Sequence, residues 1–161
     1  MHREGEHLTY SRQRVYGRVI DADWVEQLSQ QPETAEGLEA FVFRFGRMQD
    51  TIAEEPLPCW LQALAETPGS LIETLNQAER LGVVESVDDW LAARKLRNRL
   101  IHVYAEDAND FADALSLAEG FSLMLPRTYN RIRDFALHRM GIEGGALPPA
   151  LQNDRGSQSH P

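Results

Sequence analysis

The chain has 161 residues, enough for one domain with a core that needs neither disulfides nor metals. Its formal charge is −9, from 16 Lys+Arg against 25 Asp+Glu, which excludes a protein that coats nucleic acid through bulk positive charge. A single cysteine, Cys59, excludes an intramolecular disulfide, and with no run of about 18 apolar residues no transmembrane helix is expected.

Residues 1–7 read as a short polar lead without the apolar stretch of a signal peptide, so a cytoplasmic protein is expected. Leu8, Arg12, Val15, Val19 and Ala22 suggest a first helix with a weak stripe. Leu38, Phe41, Val42, Phe45, Met48 and Ile52 fall on one face of a helix from about Thr34 to Ala53. Phe43 lies off that face and is a candidate dimer-surface aromatic. Pro56 and Pro58 end this segment, and Cys59 beside them reads as a small buried hydrophobe.

Thr67-Pro68 reads as an N-cap followed by a first helical proline, with the helix stopping at Gly82. Ser86 and Asp89 have capping-box spacing and open a helix to about Tyr104. Asn109 or Asp110 can cap a last long helix to about Met140, which Pro126 should kink or break. Residues 143–161 hold three prolines, three glycines and no aromatic, which reads as a flexible tail. No strand signal stands out. The expectation is an all-α bundle of about five helices over residues 8–142.

Charge is not spread evenly. Residues 1–85 sum to −8 and residues 106–161 to −3, whereas residues 86–105 carry four basic and two acidic groups. That positive island is the helix Trp90-Leu91-Ala92-Ala93-Arg94-Lys95-Leu96-Arg97-Asn98-Arg99-Leu100-Ile101-His102-Val103-Tyr104. At 100° per residue, Arg97 falls inside its apolar arc, where a charge is costly unless paired or opened onto a cleft. Asn98 and His102, at i and i+4, form a polar row beside it. Histidine exchanges protons near neutrality, and arginine binds phosphate and stabilises its developing charge. Together they suit attack of a ribose 2′-hydroxyl on the adjacent phosphate, a reaction that needs no metal or cofactor.

The plain reading of the same residues stays open. Arg97 could be an ion pair with an acid such as Asp89, Glu73 or Glu79, and His102 a structural histidine. Arg94, Lys95 and Arg99 form a solvated face that as a cluster would guide RNA. Arg127, Arg131 and Arg133 are a weaker candidate for that role. The spacing Arg-x4-His alone decides nothing, since Arg97/His102, Arg133/His138 and Arg155/His160 all satisfy it.

The first of these has more. Leu96-Arg97-Asn98-Arg99-Leu100-Ile101-His102-Val103-Tyr104 resembles the signature of HEPN domains: Arg, a polar residue that is often Asn, a short spacer and His. The Tyr two residues after the His resembles the HepT-like toxins in particular. The resemblance is sharp over about 15 residues; elsewhere it is an agreement of helix order. It implies an all-helical, dimeric, metal-independent endoribonuclease with motifs from two subunits meeting at one cleft. Arg97 and His102 would be catalytic, Asn98 supporting, and Tyr104 the hydroxyl to which a partner minimal nucleotidyltransferase antitoxin adds AMP. The competing expectation is a non-catalytic HEPN-type module that docks such a nucleotidyltransferase.

Overall fold

The computed structural model describes residues 1–103 and 106–152. Among them are seven α-helices, two 3₁₀ turns and no strand. The helices are α1 (His2–Val15), α2 (Ala22–Gln27), α3 (Pro32–Glu54), α4 (Pro56–Ala63), α5 (Leu71–Arg80), α6 (Val87–Val103) and α7 (Ala108–Arg139). The five longest are those that the periodicity anticipates. No helix is long and apolar enough to cross a membrane among the described residues.

Helix α3 is the spine. Leu38, Phe41, Phe45, Met48 and Ile52 are all buried, as their spacing requires, while Val42 is half-buried at the edge. This stripe meets α1, α4, α6 and α7. Phe41 and Phe45 lie nearly parallel with ring centres 6.1 Å apart. Tyr16 meets Phe41 edge-on at 5.3 Å, a favoured aromatic arrangement. The Tyr16 hydroxyl donates to the Leu115 carbonyl of α7, and its burial pushes its pKa up. Several polar side chains are buried, and one of them ties two helices together. Gln49 is buried and donates to the Trp90 carbonyl at 2.9 Å, joining α3 to α6.

Several boundaries differ from the sequence reading. The prolines do stop α3, but Pro56 then opens α4, where its missing N–H has no intrahelical partner to lose. Cys59 within α4 is exposed, not buried. Helix α5 begins at Leu71, not behind Thr67-Pro68, because Ser70 and Glu73 form a complete capping box. The Ser70 N–H donates to Glu73 Oε2 at 2.7 Å, and Ser70 Oγ accepts the Glu73 N–H. The helix ends as expected at Gly82, whose φ of 78° suits glycine; the Val83 N–H reaches back to the Ala78 carbonyl. Ser86 caps α6 by accepting the Asp89 N–H. Asp107, rather than Asn109 or Asp110, caps α7. That helix continues through Pro126, with Met124, Leu125, Thr128 and Tyr129 buried around it; this packing outweighs one missing backbone bond.

As far as they are described, both ends are more tied down than their composition suggests. Residues 2–7 belong to α1 rather than to a loose lead, and Gly5 and Leu8 are buried. The C-terminal stretch as far as residue 152 is a strap laid on α7, with Leu151 only 5% exposed. Asn130 donates to the Leu151 carbonyl and accepts its N–H. Residues 153–161 lie outside the described residues.

The capping assignment is testable. Ser70→Ala should cost about 1 kcal/mol of stability in urea denaturation, whereas Thr67→Ala should change it by less than about 0.5 kcal/mol. The reverse order would move the start of α5 back to Thr67.

Candidate functional site

Helix α6 turns Trp90, Ala93, Leu96 and Leu100 into the core. Arg97 lies between Ala93 and Leu100, as its position on the apolar arc requires. Its side chain is 12% exposed. The guanidinium is held chiefly through Nη1, which donates to Asp50 Oδ2 at 2.8 Å and to the Gly46 carbonyl at 3.1 Å. Nε approaches Asn98 Oδ1 at 3.4 Å. Nη2 has no hydrogen-bond partner among the described residues.

The partner of Arg97 is therefore Asp50 on α3, and not Asp89, Glu73 or Glu79. Glu73 is used in the α5 cap, and Glu79 accepts the Val87 N–H at the start of α6. Gly46 and Asp50, at i and i+4 on α3, make one seat. A Cβ at residue 46 would come within 2.4 Å of Arg97 Cδ, so only glycine lets the arginine lie there undisturbed.

Arg97, Asn98 and Ile101 of α6 face Gly46, Arg47 and Asp50 of α3 across an open groove of about 610 Å³. Phe43 and Ile101 flank it and are 65% and 60% exposed. Arg47 and Arg97 face three acids, Asp50, Glu54 and Glu55, so the lining sums to −1. The positive island of the sequence thus becomes a mixed groove once α3 is set against it. Arg47 is in addition paired with Glu4 of α1 at 2.8 Å.

The structure brings Arg97 and Asn98 into this groove. His102 is one helical turn beyond Asn98, exposed, and outside the groove lining. Arg94 and Lys95 are exposed on α6. Arg99 is paired with Asp110 of α7, which removes it from the free cationic cluster expected beside His102. Tyr104 lies outside the described residues. Arg127 and Arg131 share Glu85, and Arg133 donates to the Pro148 carbonyl, so these cations also have local partners. His138, of the rival Arg-x4-His spacing, has its Nδ1 at 2.8 Å from the Asp134 carbonyl of its own helix. Among the described residues no three His, Cys, Asp or Glu side chains converge as a metal would require.

Sequence reasoning missed Gly46, Arg47 and Asp50. The one available signal is that Gly46 and Asp50 share a row of α3 next to its apolar stripe, where a glycine is otherwise unfavourable for a helix. Gly46→Ala should destabilise the protein by about 1–3 kcal/mol through overpacking. Arg97→Ala in the same chain should recover most of that loss in a double-mutant cycle. Additive effects would show that the two residues do not meet.

The chain matches no family model, no curated protein and no solved structure, so the reading of this groove rests on its own residues.

Proposed function

We propose that the protein is a metal-independent endoribonuclease of the HEPN class, HepT-like in its motif, working as a homodimer. The observation that carries this reading is the posture of Arg97. Arg97 lines an open groove with its Nη1 fixed by Asp50 and Gly46, and its Nη2, without a hydrogen-bond partner among the described residues, would take a phosphate oxygen. Asn98 stands beside it to orient the ribose–phosphate.

The reaction is attack of a ribose 2′-oxygen on the adjacent phosphorus. The 2′-hydroxyl proton goes to a base, the bond from phosphorus to the 5′-oxygen breaks, and an acid protonates that oxygen. The products are a 2′,3′-cyclic phosphate and a 5′-hydroxyl. The chemistry needs one acid, one base and charge stabilisation at the phosphate. Each protomer offers one His102 for proton transfer, outside its own groove lining. A second copy supplies the other histidine, and the exposed Phe43 and Ile101 beside the groove are the apolar surface on which it would sit. In this reading Arg94 and Lys95 contact RNA on the approach, and Tyr104 is the acceptor of AMP from a nucleotidyltransferase antitoxin.

A second reading has its own support. Asp50 already neutralises Arg97, and His102 stands apart from the groove. Both facts suit a catalytically silent HEPN-type module that docks a nucleotidyltransferase.

Incubating purified protein with RNA in excess EDTA separates them. Cleavage that leaves cyclic phosphate ends, reduced about a hundredfold or more by His102→Ala and by Arg97→Ala separately, is the expected result. Cleavage unchanged in both variants rejects the catalytic assignments. No cleavage by the native chain, with stable binding to a nucleotidyltransferase, selects the docking module.

A further inference from the structure

The strap formed by residues 147–152 is bound in the manner of a peptide ligand. Pro148, Pro149 and Ala150 are exposed, and the polar contacts described for the strap are made by its backbone to side chains of α7. Arg133 donates to the Pro148 carbonyl at 2.8 Å, and the Tyr129 hydroxyl donates to the Pro149 carbonyl at 3.2 Å. Asn130 grips both the N–H and the carbonyl of Leu151, at 2.8 and 2.9 Å, as a neighbouring β-strand would. The one deep side chain is Leu151, which nests over Gly5 of α1; a Cβ there would come within 2.2 Å of Leu151 Cδ1. Two prolines keep the segment extended at little entropic cost. Side chains that read a backbone, with one apolar anchor, make a recognition surface that does not depend on the segment's covalent attachment.

The connection behind the strap is rich in glycine. Gly141 (φ 66°), Gly144 and Gly145 lie in the five residues from 141 to 145. We propose that the surface made by Gly5, Tyr129, Asn130 and Arg133 is a peptide-docking groove whose ligand is the 147–152 segment, filled in cis here and equally able to take that segment from a second copy of the chain. The second copy is the occupant because its segment is identical and reproduces each of these contacts, while the glycine connection permits the exchange. This contact lies on α1 and α7 and does not rest on the nuclease reading.

Complementary full-length variants test it. Leu151→Asp leaves a sound groove without an anchored strap, and Asn130→Ala leaves a sound strap with a damaged groove. A tagged Leu151→Asp chain should retain untagged Asn130→Ala chain about tenfold more than does a tagged chain that also carries Asn130→Ala. That control also accounts for any pairing through the α3–α6 face. A labelled peptide of residues 145–152 should bind the Leu151→Asp chain about tenfold more tightly than the native chain, whose own strap competes. The same peptide carrying Leu151→Asp should bind neither, an arm that stands even where Asn130→Ala fails to fold. Equal retention in both pairs, or equal binding of the two peptides, overturns the proposal. Peptide binding without exchange between chains overturns the second copy as the occupant.

Discussion

The Arg97 side chain can lie against α3 because residue 46 has no side chain. The Arg97 aliphatic stem occupies the space a Cβ would fill, and its head reaches the carbonyl of that same residue and the carboxylate one turn further on. A second tie lies deeper, where Gln49 donates to the Trp90 carbonyl. Residues 46, 49 and 50 of α3 thus hold residues 90 and 97 of α6 by one close approach and three hydrogen bonds. An isolated charge on the apolar arc would be costly; here the approach itself supplies its partners.

This arrangement also decides the electrostatics of the groove. Read along the chain, the positive charge of residues 86–105 looks like a cationic surface. In space, Arg99 is drawn off by Asp110, Arg97 by Asp50, and Arg47 by Glu4. The cations left on α6 are Arg94 and Lys95, both exposed. A groove of this kind attracts a polyanion weakly from a distance and discriminates at short range, through a fixed guanidinium and a neighbouring amide. Binding would then depend on fit at Arg97 and Asn98 more than on bulk charge.

The long helices were legible because their apolar residues repeat at helical spacing and their ends carry Pro, Gly, Ser and Asp. The position of Arg97 on the core side of α6 was legible for the same reason. Its partner was not. Asp50 is 47 residues away in sequence and about half exposed, and no local pattern distinguishes it from other acids of this chain. The start of α5 was misplaced by weighing Thr67-Pro68 above the reciprocal Ser70 and Glu73 pair. The first residues and the stretch 143–152 were misread for a deeper reason. Composition registers how much apolar surface a segment can bury, and residues 143–152 offer little. It does not register that one leucine over one glycine, with side chains ready to meet a backbone, is enough to dock a segment.

That docking reaches the groove through α1. Leu151 presses on Gly5, and the adjacent Glu4 holds Arg47, which lines the groove next to Asp50. The two segments that look least structured in the sequence are therefore joined to each other and then to the rim of the candidate site. The first turn of α1 is fixed from one side by the strap and from the other by α3. Were the strap to leave, the Glu4–Arg47 pair would be held by a helix start with fewer contacts, and such starts are where local opening is easiest. The charge available to the groove would then depend on Arg47 as well as on Arg97. The site is in this sense a property of three helices and a strap, although the motif that points to it is written on α6 alone.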